Sequence, residues 1–370
     1  MGSNCSVCGD GPRHGEAAYN EYSPGVAQNA QDHSAEEAPF TNNAALMPPG
    51  PPVAPTGVDA VAQNSSPRGY ANGQLSARTE GGQSGATSTT VNYFERELEE
   101  LQNLPDAGSG RVESRPPYKF NTGASYEGEW KGNKRHGYGK MEWSDGAVYE
   151  GEWVDNQAQG KGRFLHFDGD IYIGEWQGNV AYGNGIYYHK QTTTYEGQWV
   201  NDVQEGCGVE TWGEGSRYEG QFKMGKKEGY GIYYWADGSK YHGEWRANKI
   251  NGYGMYVGKD GRKFDGQWRG SVMDGMGVYL WADGRRYEGQ YQTDKKDGFG
   301  VFIWADGRRY EGFWKDGKQD GQGRYYMKNG SSRLARWAEG RRIEWLGDQD
   351  PPEKERPGAP APTATGGTPT

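Results

Sequence analysis

The sequence predicts an all-β protein: a single elongated, twisted antiparallel sheet of stacked 23-residue β-hairpins, solenoid-like, with a disordered N-terminal region, one short helix and a disordered C-terminal tail. Three observations predict it. Steps of 23 residues from Tyr126 land on Tyr149, Tyr172, Tyr195, Tyr218, Tyr241, Phe264, Tyr287 and Tyr310, an aromatic each time. Glycine stands two positions after each of these, from Gly128 to Gly312, and Trp, Phe or Tyr four positions after, from Trp130 to Trp314. A Gly-x-Gly follows at constant offset, Gly137/Gly139 through Gly321/Gly323, and most copies then reach an Asp-Gly turn such as Asp145-Gly146 or Asp306-Gly307. Nine copies hold this register without insertion or deletion, with a half-copy before them and a worn tenth, "RLARWAEGRRIEW", after.

The period inside each copy explains why it forms a hairpin. In "YEGEW" Tyr126, Gly128 and Trp130 alternate with Glu127 and Glu129, and in "GYGKMEW" Gly139, Met141 and Trp143 share a face. "KGNKRH" and "SDG" are the turns. Glycines leave gaps in which neighbouring rings can lie, so the aromatic face packs without a second sheet. A lone hairpin is marginal, so stability must come from stacked neighbours. At about 4.8 Å between strands, nine copies would make a curved ribbon roughly 90 Å long.

The other segments differ in composition. Residues 1–90 are rich in Ala, Gly, Ser, Asn and Pro and contain no lysine, which predicts a lipid-anchor motif at 1–10 and a disordered tether at 11–90. A short amphipathic helix is expected within 91–104, where Asn92 and Glu95 have capping-box spacing and Phe94, Leu98 and Leu101 recur at helical spacing. It reads as a helix docking on the end of the next domain, with a partner-binding motif as the alternative. The repeat domain is expected at 118–346 and a Pro-rich disordered tail at 347–370.

Composition excludes several classes. The chain has 41 basic and 50 acidic residues, a net charge of −9, and a mean hydropathy of −1.04. No run approaches the roughly 18–20 apolar residues of a membrane span, and no secretory apolar region opens the chain. With three cysteines a disulfide framework is not expected and a reducing compartment is. Nothing points to nucleic acid. No catalytic constellation, metal site or cofactor site emerges either. The six histidines fall at different repeat offsets, and His166 and His189 stand where other copies carry Trp, as half-buried substitutes. Cys207 reads as a small packing variant between the glycines of "GCG". The recurring carboxylates read as a solvated face, and the Gly-x-Gly pairs as structural, because no helix start follows them. The expectation is a protein that is not an enzyme.

This pattern resembles the MORN repeat family, over about 230 of the 370 residues. The resemblance implies a face lined by aromatics that docks a peptide, a helix or a second copy of the protein. Its residues here would be Tyr126, Trp130, Tyr149, Trp153, Tyr172, Trp176, Tyr195, Trp199, Tyr241, Trp245, Trp268, Tyr310 and Trp314.

Two further features bear on location. The residues before successive leading aromatics are Arg217, Lys240, Lys263, Arg286 and Arg309, a basic ladder for anionic phospholipids or an acidic partner, or else an ordinary salt-bridged face. Residues 126–216 carry 7 basic and 15 acidic residues, and residues 217–332 carry 21 and 15. The N-terminal "MGSNCSVC" has the form of a myristoylation signal at Gly2, with Cys5 and Cys8 as palmitoylation sites. One myristoyl chain holds only marginally, and a polybasic patch is missing, so the cysteines supply the second anchor. The expected function is a non-enzymatic membrane-tethered scaffold at the cytoplasmic face of a plasma membrane or pellicle, linking it to cytoskeletal or signalling proteins. The alternatives are a phosphoinositide-binding module or regulatory partner of a lipid kinase, and an axonemal, radial-spoke-like structural protein.

Overall fold

The computed structural model describes residues 92–105, 110–190 and 192–347. These fall into two units, one ending at Ala282 and one beginning at Asp283. In the first, fifteen described strands run from Val112–Lys119 to Val272–Leu280; in the second, six run from Arg286–Gln292 to Arg341–Gly347. Each unit is an open antiparallel sheet in which consecutive strands pair as hairpins. The predicted all-β class and 23-residue hairpin period are what the structure has. The half-copy extends further than expected, since its strand begins at Val112. The worn tenth copy still forms the strands Ser332–Ala338 and Arg341–Gly347. The anchor motif, the tether and residues 348–370 lie outside the described residues.

The register shows why the glycines recur. Gly139 pairs with Gly128 on one side and Gly151 on the other, and Gly151 in turn pairs with Gly162, so glycines form a row across the strands. The leading aromatic of each copy, a tyrosine except at Phe264, lies over this row, and each tyrosine is further tied down. Its hydroxyl donates to the carbonyl three residues on, as Tyr126 to Glu129 at 2.9 Å and Tyr149 to Glu152 at 2.9 Å. Its ring meets its own Trp and the next copy's Trp edge-on: Tyr149 is 4.9 Å from Trp153 and 5.3 Å from Trp176 between centroids. Edge-to-face pairs gain beyond plain burial. Each Trp indole N–H then donates to a glycine carbonyl of the preceding copy, as Trp153 to Gly139 at 3.0 Å and Trp268 to Gly254 at 3.0 Å. Trp130 belongs to the first full copy, and its indole nitrogen has no partner.

Two structural devices were not anticipated. The residue before the fourth-position aromatic is Glu or Gln in the first eight copies and Phe313 in the ninth, and the Glu or Gln side chain accepts the backbone N–H that follows the positive-φ glycine of Gly-x-Gly. Glu129 accepts from Tyr138 at 2.7 Å, Gln198 from Cys207 at 2.9 Å and Gln267 from Met276 at 2.8 Å. These carboxylates, expected to be only a solvated face, stitch the β-bulge that separates Gly128 from Trp130. In addition, a turn residue at positive φ accepts the N–H of the residue 21 positions earlier. Asn156 takes Arg135, Asn179 takes Ala158 and Asp202 takes Ala181, at 2.7–2.8 Å. Consecutive hairpins are thus stapled at that edge.

Candidate partner-binding face

In each unit one face of the sheet carries the rings. The thirteen aromatics expected to line a groove lie in this layer, and all are buried, from 0% exposed at Tyr126 to 7% at Trp314. They pack against their own copy and the next rather than being displayed, because glycine rows let the tyrosines lie flat and the tryptophans close over them. Cys207 and its counterparts Tyr138, Tyr230 and Tyr253 point to the opposite, outer face: Cys207 is half-buried and the three tyrosines are 44–55% exposed. The position therefore lies outside the ring layer. His166 and His189 are half-buried, as substitutes for an aromatic should be.

A second layer of residues decides what the ring face offers. Opposite the fourth-position aromatic of each copy, a Trp except at Phe222 and Tyr291, stands one residue of the next strand: Arg135, Ala158, Ala181, Gln204, Lys227, Ile250 and Met273 in the first unit, Lys296 and Gln319 in the second. Long stems here cover the rings themselves. The Lys227 ammonium lies 4.6 Å from the Trp212 ring centre and pairs with Glu210 at 3.0 Å. At Ala158 and Ala181 there is no such cover.

The segment 92–105 fills that gap. It forms a 3-10 turn, Tyr93–Glu95, and an α-helical turn, Leu98–Gln102, instead of one helix. The Asn92 side chain caps it by accepting the Phe94 N–H at 3.0 Å. The break falls at Glu97, whose carboxylate is drawn to the sheet. The segment lies on the ring face of the first copies, at the N-terminal end of the repeat domain. Phe94 is fully buried, 5.2–5.9 Å from the ring centres of Trp143, Tyr149, Trp153, Phe164 and Trp176. Burial of one such ring contributes about 1.5–3 kcal/mol. Tyr93 adds edge contacts to Trp143 and Phe164.

The polar contacts have a consistent sense. The sheet mostly donates and the segment mostly accepts. Glu97, 1% exposed, takes hydrogen bonds from the Trp143 indole at 3.2 Å and the Thr122 hydroxyl at 3.0 Å, and burial raises its carboxyl above the ordinary value. Glu100 accepts from the Tyr118 hydroxyl at 2.8 Å and the Asn121 N–H at 2.9 Å. Asn133 donates to the Leu104 and Pro105 carbonyls. Arg135, fully buried, donates through Nη2 to the Phe94 carbonyl at 2.8 Å and lies 4.4 Å from the Trp153 ring centre. Burial lowers its guanidinium to about 10, and its Nε and Nη1 have no acceptor among the described residues. Asp145 is an acceptor on the sheet side, taking Tyr93 at 2.7 Å and Arg96 at 3.2 Å.

Of the expected groove residues, Tyr149, Trp153 and Trp176 touch the docked segment directly. Arg135, Trp143 and Phe164 were not singled out. The signal was the pair of alanines in a column otherwise filled by long side chains. The ladder residues stand at the first positions of their strands. Arg217 and Arg286 pair with Glu219 and Glu288 at 2.7 and 2.6 Å, and Arg309 with Glu311 at 3.6 Å. Lys240 and Lys263 are exposed and make no ion pair among the described residues. Gly2, Cys5 and Cys8 lie outside the described residues.

Comparison with curated proteins gives no match. Among solved structures the chain is similar to the TCP10 domain of Danio rerio CPAP, at 18% identity over 56% of this chain and 99% of that one, with a TM-score of 0.26. It is also similar to the TCP domain of Drosophila melanogaster SAS-4 in complex with a proline-rich motif of Ana2, at 14% identity over 57% and 99%, with a TM-score of 0.24. A third is virginiamycin B lyase of Staphylococcus aureus, at 12% identity over 63% and 73%, with a TM-score of 0.13. The copy at 172–194 lies outside every matched family segment, and there the Asp-Gly turn is replaced by a turn tied by Asp170 to the Lys190 N–H at 3.0 Å. The family model described as the MORN repeat matches residues 126–148, 149–171, 195–217, 218–240, 241–261, 264–285, 287–308 and 310–332, eight of the nine copies found by periodicity.

Proposed function

We propose that this chain is a non-enzymatic scaffold whose ring face docks a helical or peptide segment of a protein partner. It would be tethered to the cytoplasmic face of a membrane by acyl chains on Gly2, Cys5 and Cys8 and connect that membrane to cytoskeletal or signalling proteins. The observation that carries the docking part is the seating of residues 92–105: a short helical segment, one buried phenylalanine and a set of hydrogen bonds suffice to occupy the face. The N-terminal sequence supports the tether. Proximity labelling in the native cell with wild-type and Gly2→Ala chains tests both parts. The expected result is a membrane-proximal partner set that the wild-type chain has and the variant loses. A Gly2→Ala chain that stays in the membrane fraction removes the acyl tether from the reading. A second reading, an anionic-lipid module, is favoured by Lys240 and Lys263, which are exposed and make no ion pair among the described residues.

A further inference from the structure

The docked segment and its floor are mismatched in one respect. Arg135 is wholly buried, yet the segment gives it a single carbonyl, and two of its guanidinium nitrogens face no acceptor. A buried donor left without an acceptor is destabilising, and more so when it is charged. Glu97 is buried nearby but is engaged by Trp143 and Thr122, with no ion pair to Arg135. The segment carries Glu95, Arg96, Glu97, Glu99 and Glu100, a net charge of −3, and it docks on copies that are themselves acidic. Local donors hold it while the wider field opposes it. It is a serviceable ligand and an improvable one.

We propose that residues 92–105 are a built-in competitor for a partner peptide of the same chemistry, one presenting Phe-x-x-Glu-x-x-Glu with a further carboxylate able to reach Arg135. The phenylalanine enters the ring site flanked by Trp143, Trp153 and Trp176, as Phe94 does. The two glutamates take the places of Glu97 and Glu100, against Trp143 with Thr122 and against Tyr118 with Asn121. The extra carboxylate satisfies the idle guanidinium nitrogens. A tethered segment competes at an effective concentration on the order of millimolar, so the partner binds only when it is the better ligand or when the segment is released. This rests on the reading of the ring face as a docking surface and names what that surface selects.

The test uses the full chain and a fluorescein-labelled synthetic peptide of residues 92–105, followed by anisotropy. Phe94→Asp in the chain releases the built-in segment and leaves the floor intact; Leu101→Asp does the same from the other end. The expected result is peptide binding at least tenfold tighter to both variants than to the wild-type chain. Adding Arg135→Gln to the Phe94→Asp chain should weaken it at least tenfold, and a peptide whose own phenylalanine is replaced by aspartate should not bind. Variants that melt like the wild type and bind the peptide no better overturn the proposal. So does a wild-type dimer that the peptide splits into monomers, because the occupant would then be a second copy's segment. The scaffold reading fails separately, if proximity labelling finds no protein partner for either the wild-type or the Phe94→Asp chain.

Discussion

Tyr149 lies so closely over Gly151 that a β-carbon on the glycine would stand 2.8 Å from the tyrosine hydroxyl and 2.6 Å from the Lys161 carbonyl. Neither Gly151 nor its partner Gly162 has a positive φ, so the requirement is for space, not for a special backbone conformation. Gly151→Ala is therefore an overpacking change beside a fully buried ring, and should cost about 2–3 kcal/mol. Gly146→Ala, at φ +90 in the Asp-Gly turn with nothing within 4 Å, should cost only about 1 kcal/mol through backbone strain. Urea unfolding of the two variants checks the order, and the reverse order would contradict the close-packing account.

Asp202 does with a charged group what Asn156, Asn179 and Asn248 do with a neutral one. Its Oδ1 accepts the Ala181 N–H at 2.7 Å, and burial raises its carboxyl to about 6. Because the folded value lies above the ordinary 3.8, stability falls as pH rises from 3.8 through about 6, and the penalty persists above that. Asp202→Asn keeps the acceptor and tolerates the positive φ. It should raise stability at pH 7.5 by about 1–3 kcal/mol and change it little near pH 4. Thermal melts at the two pH values decide this; an equal effect at both would rule out charge burial as the cause.

The repeat was legible because its constraint is local and periodic: a tyrosine needs a glycine two positions on, and a tryptophan four. The Glu/Gln column was visible as well, and its free exchange between Glu129 and Gln198 marks a need for an acceptor rather than a charge. In sequence the column reads as a solvated face because surface carboxylates are common. Arg135 and the docking of Phe94 were not legible. They depend on contacts 41 residues apart in sequence and on what Ala158 leaves uncovered, which only the folded sheet brings together. The asparagine staples span 21 residues and look like ordinary turn residues until the hairpins stack.

Lys296 places a pH dependence in the second unit. Its ammonium lies 4.5–5.4 Å from the ring centres of Tyr287, Phe302 and Trp314, and burial lowers it from 10.5 to about 7. The rings favour the cation but do not cancel its desolvation. Between pH 7 and 10.5 the unfolded chain holds a proton that the folded chain has released, so stability rises with pH across that window. Lys296→Met keeps the stem among the rings and removes the charge. It should flatten the rise and make the chain more stable than wild type at pH 6.5. Denaturant midpoints from pH 6.5 to 10 measure this; parallel curves for the two chains would remove Lys296 as the source.

Lys240 and Lys263 should govern any attraction to anionic membrane, because the flanking ladder arginines are already answered by glutamates. The same-face neighbour two residues after Arg217 is Glu219, at 2.7 Å, and after Arg286 it is Glu288, at 2.6 Å. After Lys240 it is His242, whose imidazole is held below its ordinary value by burial and by that lysine, and after Lys263 it is Asp265, which makes no ion pair with it among the described residues. A basic side chain near an anionic surface contributes about 1 kcal/mol. In a Gly2→Ala chain, which removes any acyl contribution, Lys240→Glu with Lys263→Glu should lower affinity for phosphatidylserine vesicles by roughly 30-fold or more. Arg217→Glu with Arg286→Glu should lower it less, since each of those positions is locally neutral to begin with. Vesicle co-sedimentation at two salt concentrations reads both effects. Equal losses from the two pairs would mean that net charge alone sets the attraction, and no loss from either would leave the ladder as a salt-bridged face.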